Sequence, residues 1–418
     1  MMGGWKEYSL GKLAPYFTGK INASSLNSEN YISADNMLPD RNGIVLSDYL
    51  PNNGKVTKYE ANDILVSNIR PYFKKIWFAN SSGGCSNDVI VFRTNSELAD
   101  PTFVYYQLSK DDFFDFMMAG ANGTKMPRGN KKAIPEYKIN LPPLPTQRRI
   151  ASILSAYDDL IENNLKRIKL LEEMAQITYE KWFVRMKFPG HETAVFDEET
   201  GLPEGWRKVK LGEVCELTMG QSPKSEYYNS EKKGLPFHQG VKDYGDRFPT
   251  NTMWSTNGNR IADKGTVLFS VRAPVGRLNI ALEKIILGRG LASISHKNNW
   301  NGFIYYQLKQ IFFEDNLMGG GAIFNSVTKN DMLRIELIEG NNSVMERFNR
   351  VVKPIDTNIV NLHTQNQRLK EARDILLPRL MTGMIDVEKI SEQYVSELKD
   401  KLVMAAEDGV EYVKERKI

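Results

Sequence analysis

Phe103-Val104-Tyr105-Tyr106-Gln107-Leu108 returns, displaced by 200 residues, as Phe303-Ile304-Tyr305-Tyr306-Gln307-Leu308. Two further signposts precede it in each place and in the same order. Trp5 through Leu10-Gly11-Lys12 returns as Trp206 through Leu211-Gly212-Glu213, and Asp63-Ile64-Leu65-Val66-Ser67 with Arg70-Pro71 returns as Thr266-Val267-Leu268-Phe269-Ser270 with Arg272-Ala273-Pro274. A long heptad segment follows each copy. A period near 200 residues is far longer than any solenoid repeat, so the chain is a duplicated domain plus linker.

Within each copy, short β-branched runs broken by Asn, Gly and Pro, such as Gly43-Ile44-Val45-Leu46 and Val89-Ile90-Val91-Phe92, read as strands and turns. The Tyr-Tyr-Gln-Leu segments sit in helix-like surroundings, and two aromatics at one helical step read as core. An α+β domain with an irregular sheet follows.

After Leu141-Pro142-Pro143-Leu144-Pro145, the sequence turns helical. Leu154, Ile161, Ile168, Ala175 and Trp182 recur every seven residues, with Tyr157, Asn164, Leu171 and Thr178 between them; the second copy has Val352, Ile359, Asn366, Arg373 and Leu380 in one row and Ile355, Leu362, Leu369 and Leu376 in the other. An antiparallel pair joins residues whose numbers sum to a constant, and 530 satisfies both seams. Leu154 then meets Leu376, Ile161 meets Leu369, Ile168 meets Leu362, Leu171 meets Ile359, Ala175 meets Ile355 and Trp182 meets Phe348. The seam asparagines Asn164 and Asn366 also sum to 530, and two facing amides fix a register. The alternative is that each helix packs on its own domain or in a homodimer. Roughly 30 residues of helix make a rod of about 45 Å, which suits two domains related by a pseudo-twofold.

Composition narrows the function. The 418 residues, 41% hydrophobic, suffice for two sizeable cores. No run approaches a membrane span and the start lacks the layout of a signal peptide, so a cytoplasmic protein without a membrane partner is expected. Cys85 and Cys215 fall one in each half, which supports neither a disulfide framework nor a zinc site. From Asp386 onward six Lys/Arg stand against nine Asp/Glu, leaving 49 against 42 before it, an excess consistent with a polyanionic partner. Catalytic signals are absent: there is no phosphate loop, no Asn-Pro-Pro-Tyr segment, and His191, His238, His296 and His363 are isolated.

The order domain, helix, domain, helix resembles the Type I restriction-modification specificity subunit. Leu141-Pro142-Pro143-Leu144-Pro145-Thr146-Gln147-Arg148-Arg149-Ile150 opens the first helix, Leu202-Pro203-Glu204-Gly205-Trp206 opens the second domain, and Leu376-Leu377-Pro378-Arg379-Leu380 closes the last helix. The second junction, Ile338-Glu339-Gly340-Asn341-Asn342, departs by lacking the proline run. The resemblance implies target-recognition domains at 1–143 and 204–344, spacer helices at 144–185 and 345–384, a linker at 186–203 and a C-terminal helical tail at 385–418. It further implies a non-catalytic chain that reads a bipartite double-stranded DNA site, one half per domain, while two antiparallel coiled-coil helices set the spacer and dock two methyltransferase subunits. Motor-nuclease subunits join for restriction. S-adenosylmethionine, ATP and Mg2+ belong to those partners, and no cofactor or metal to this chain. A non-DNA coiled-coil scaffold and the recognition part of a fused methyltransferase-nuclease are the competing readings.

Candidate DNA-binding residues follow from charge and setting. Between Asp115 and Glu136 the first copy has no acid but has Lys125, Arg128, Lys131 and Lys132 among Gly120, Gly123 and Gly129, which suits phosphate contact, or else a solvated loop. Arg70 with Lys74 and Lys75, and Arg272 with Arg277, lie at repeat-related strand ends where guanidinium groups could meet guanine, or else form structural ion pairs. Arg289 between Gly288 and Gly290, Lys242 and Arg247 in a polar loop, and Asn325, Ser326 and Lys329 after the Gly319-Gly320-Gly321 run complete the set. In the tail, Ile390, Tyr394, Leu398 and Leu402 mark an apolar helical face for a partner or the body.

Overall fold

The computed structural model describes residues 4–121, 123, 125–314 and 326–389. The chain divides into two compact units, one running to Asn164 and resuming at Gln365, the other Leu165–Thr364. The division crosses both long helices, Leu144–Tyr179 and Asn342–Met381, and each unit therefore contains part of both.

In the first unit the strand Ile64–Ser67 is buried at all four positions because it is central, antiparallel to Ile76–Phe78 on one side and Val89–Phe92 on the other. Lys6–Ser9 pairs antiparallel with Lys138–Leu141, Lys6 opposite Leu141, which brings the start of the domain beside the run that enters the first long helix. A second sheet orders Lys20–Asn22, Lys55–Tyr59, Gly83–Cys85 and Tyr31–Ile32. Gly43–Leu46, expected as a strand, is not one. Asn36 Nδ2 donates to Val45 O at 2.9 Å, a single bridge joins Met37 to Ile44, and Val45 and Leu46 stay exposed. Val45 N donates to Asn36 O and Leu38 N to Gly43 O, so the pairing stops at this one bridge, with the Asn36 amide beside it.

The helix Pro101–Leu108 starts because Asp100 accepts from Phe103 N and Pro101 needs no N–H partner. Its Tyr106 and Gln107 are buried. Gln147, from the motif that opens the long helix, accepts from Asp100 N at 2.9 Å and donates to Pro142 O at 2.8 Å, fastening helix to domain. Ile150, Leu154, Leu377 and Leu380 share one core with Phe103, Phe113 and Ile139.

The second unit repeats this frame. Val267–Ser270 is buried throughout between Leu278–Ile280 and Leu291–His296, and Arg207–Lys210 pairs with Glu336–Glu339. It adds Cys215–Met219 to Leu291–His296 and carries a five-stranded sheet of its own. Where the prolines of the first junction are missing, Asn341 Oδ1 accepts from Val344 N at 3.1 Å and caps the helix. Tyr305 and Tyr306 of the helix Asn301–Lys309 are buried, as the core reading of these tyrosines expects.

The two seams meet within each unit. In the first, Leu160, Ile161 and Leu369 pack together, and Asn164 Nδ2 donates to Asn366 Oδ1 and Gln365 Oε1, both at 2.9 Å. In the second, Ile168, Leu171 and Ala175 share a core with Ile355 and Ile359, and the Trp182 and Phe348 rings lie 5.7 Å apart. The layers are those whose numbers sum to 530. Among the described residues no helix is long and apolar enough to cross a membrane. Cys85 and Cys215 are buried and unpaired, and burial pushes both thiols up to about 12.

Candidate nucleic-acid interface

In the first unit the central strand Ile64–Ser67 runs into a turn that is tied to the glycine-rich basic loop by main-chain bonds. Asn68 N donates to Asp88 O at 2.7 Å, Arg70 N to Pro127 O at 2.7 Å, and Gly129 N to Asn68 O at 3.0 Å, with Ile69 and Arg128 forming a bridge. Gly129 sits close to its neighbours: a Cβ there would stand 2.9 Å from Asn68 Oδ1 and 3.0 Å from Met117 Cε, so those side chains would have to shift. The turn that carries Arg70 and the basic loop, far apart in sequence, are thus joined along the main chain. Arg128 pairs with Asp88 at 3.2 Å, an exposed contact of small energetic value, and Lys131 Nζ donates to Asn87 O at 3.1 Å. Lys125 and Lys132 are exposed and make no side-chain hydrogen bond or ion pair among the described residues.

Lys74 and Lys75 are turned to the protein. Lys74 reaches Asp111 at 2.8 Å, Arg41 also contacts Asp111, and the bond from Lys74 holds that carboxyl below its usual range. Lys75 Nζ donates to Ala34 O, and burial lowers its pKa.

The second unit builds the corresponding place on the same strand end. Arg272 forms a bridge with Ser326, and Val327 N donates to Val271 O at 2.9 Å. A third segment joins: Val271 N donates to Gly290 O at 2.9 Å and Gly290 N to Gln239 O at 3.0 Å, which sets exposed Arg289 beside exposed Arg272 along the backbone. The glycines make this approach feasible. A Cβ on Gly288 would lie 2.6 Å from Gln239 Cα, and one on Gly290 would lie 2.7 Å from Gln239 O. Arg277, Lys242 and Lys329 are exposed as well. Each unit therefore has an arginine just past the end of its central strand, where the main chain is bonded to the loop that precedes the domain's last strand.

The family model described as Type I restriction modification DNA specificity domain matches residues 2–173 and 203–338, one stretch for each copy of the repeat. The chain belongs to this family. A putative type I restriction enzyme specificity subunit, MjaX, from Methanocaldococcus jannaschii is 32% identical over 313 residues, covering 72% of each chain. The HindI specificity subunit of Haemophilus influenzae is 22% identical over 463 residues, 92% of this chain and 100% of that one. The crystal structure of a Type I system S subunit from M. genitalium, 18% identical, superposes with a TM-score of 0.58 over 91% of this chain and 97% of that chain, and shows the same fold. This specificity subunit is a DNA-recognition component rather than an enzyme, and it works with other restriction-modification subunits.

One candidate of the specificity subunit is overturned. Arg247 is 3% exposed, donates to Asp356 Oδ1 at 2.6 Å and Tyr306 OH at 3.0 Å, and lies 4.5 Å from the Tyr305 ring centre. It is a buried structural cation with no surface to offer DNA. Asn325, the glycine run before it, and Ile390, Tyr394, Leu398 and Leu402 lie outside the described residues. Sequence reasoning passed over Asp88, the acid that neutralises Arg128, and the pair Ser222–Gln239, whose side chains meet at 2.9 Å beside Arg289. Ser222 Oγ also accepts from Arg289 N at 3.3 Å. The only linear signal for these was a polar turn next to a strand, common to many loops.

Proposed function

We propose that each unit reads one half of a bipartite, asymmetric double-stranded DNA site, and that the long helices set the spacer and dock two methyltransferase subunits. Two motor-nuclease subunits join for restriction. The partners bind S-adenosylmethionine, ATP and Mg2+, and the complex works in the cytoplasm. The observation that carries this reading is the recurrence, once per unit, of a main-chain bridge between the end of the central strand and a polar loop, with an arginine at the junction: Ile69 with Arg128, where Arg70 N also donates to Pro127 O, and Arg272 with Ser326. Main-chain pinning holds cations on a rigid strand end, where phosphate contacts give affinity and register and a guanidinium has reach to base edges. The loops differ in sequence between the units, which suits two different half-sites.

The test is a domain exchange. Residues 204–344 are replaced by the second domain of another family member, and the methylated motif is mapped by single-molecule sequencing in cells that also express the methyltransferase subunit. One half of the motif is expected to change while the other persists. A change in both halves, or in neither, would refute the division of labour.

A further inference from the structure

In the first unit, the turn that carries Arg70 also carries two aromatic side chains on its surface. Tyr72 is 46% exposed and Phe73 37% exposed, and their ring centres lie 4.6 Å apart. Full burial would be the ordinary fate of two adjacent aromatics, yet each keeps over a third of its surface open to solvent.

The backbone holding them is both strained and braced. Arg70 (φ 49°) and Lys74 (φ 51°), on either side of the single turn Pro71–Phe73, are in the left-handed region, which non-glycine residues seldom adopt. Main-chain bonds fasten the turn from outside: Arg70 N to Pro127 O at 2.7 Å, Asp40 N to Phe73 O at 2.8 Å and Arg41 N to Lys74 O at 3.1 Å. Such bracing keeps the rings presented where a loose loop would fold them inward.

The charges around the rings point to the occupant. Lys74, Lys75, Arg128 and Lys131 each have an intramolecular partner, whereas the Arg70 guanidinium has no acceptor or ion pair among the described residues, and its Nε is shielded from solvent without a partner. A guanidinium without an intramolecular partner on the same turn as two half-exposed rings, tied to a basic loop, suits a polyanion with stackable faces better than a protein surface. We infer that Tyr72 and Phe73 form a wedge that unstacks one base step in the half-site read by the first unit, with Arg70 holding the adjacent backbone phosphate or base edge. The inference rests on the DNA-reading role proposed above. It is specific to this unit, since the corresponding turn of the second is Arg272-Ala273-Pro274-Val275, with no aromatic. Apolar wedges at base steps kink duplexes and add specificity beyond hydrogen-bond readout.

The test uses the complex with its methyltransferase subunits and the mapped cognate duplex carrying 2-aminopurine at one position at a time. The wild type is expected to raise 2-aminopurine fluorescence at one step in the first half-site, apart from any signal at the methylated base, which the methyltransferase extrudes. Tyr72→Ala/Phe73→Ala should abolish that step's signal and weaken specific binding about tenfold with an unchanged salt slope, because no cation is removed. Tyr72→Phe should keep both, which guards against a folding artefact. Unchanged fluorescence and affinity in the double variant would refute the wedge alone. Loss of assembly with the methyltransferase subunits, with duplex binding retained, would overturn it in favour of a protein interface. A wild-type complex that binds no duplex would instead refute the DNA-reading role.

Discussion

Replacing Arg247 by Met should destabilise the second unit by about 3 kcal/mol. The guanidinium is 3% exposed, donates to Asp356 Oδ1 at 2.6 Å and to Tyr306 OH at 3.0 Å, and stands 3.6 Å from Glu172 Oε1. Removing one member of a buried pair leaves the other charge uncompensated, which costs about 3–5 kcal/mol. The Asp356 and Glu172 side chains keep 23% and 22% of their exposure, so water offsets part of the loss and the low end applies. The effect should depend on pH. Burial raises the Asp356 pKa, and Arg247 opposes that rise, so the variant raises it further. A carboxyl whose folded pKa is raised favours the folded state at acid pH and loses that contribution as pH climbs through the folded value. The deficit should therefore be smallest at acid pH and grow as pH climbs above the ordinary carboxylate range, and adding Asp356→Asn to the Arg247→Met variant should recover much of it. Hydrogen exchange read by mass spectrometry along a urea series separates second-unit peptides from the rest of a chain that need not unfold in one step. A deficit below about 1 kcal/mol, or one equal at acid and neutral pH, would refute the reasoning.

Two further outcomes are expected. Asn164→Leu should destabilise by leaving Asn366 Oδ1 and Gln365 Oε1 without their donor, and adding Asn366→Leu should return part of the loss, with a coupling of about 1 kcal/mol in a thermal-denaturation cycle; additivity would mean that the 2.9 Å bond does not set the register. Changing Lys125, Arg128, Lys131 and Lys132 together to Ala should weaken binding to all duplexes and flatten the slope of log affinity against log salt, less for Arg128 because Asp88 already neutralises it; an unchanged slope would return the loop to plain solvent-facing surface.

The duplication, the heptads and the layers joining Leu154 to Leu376 and Trp182 to Phe348 were legible because each follows from a period, and a period survives without knowledge of what the residues touch. The extent of the helices in each core was less so. Ile150 and Leu380 share a core with Phe103, and the compact units cut through the helices instead of ending where they begin. The interface was legible only in parts. Arg70 and Arg128 stood out singly as basic residues, but their joining depends on main-chain bonds between segments about sixty residues apart in sequence, which no local pattern encodes.

Arg247 shows why a cation in a polar loop misleads where the architecture repeats and its means do not. Tyr106 OH donates to Asp158 at 2.5 Å on the first long helix, and Tyr306 OH to Asp356 at 2.8 Å on the second, so the repeated tyrosine tethers each domain to the helix that follows it. Each carboxylate then needs a cation, because a half-buried charge in a polar cluster is costly when unmatched. The first unit takes Arg373 from the second long helix, and the second takes Arg247 from a loop of its own domain. With no counterpart in the first copy, Arg247 has the sequence signature of a variable surface cation. The tyrosine and the aspartate on the long helix, which do repeat, were the better guide: two tethers with the same acceptor chemistry require two cations, whichever segment supplies them.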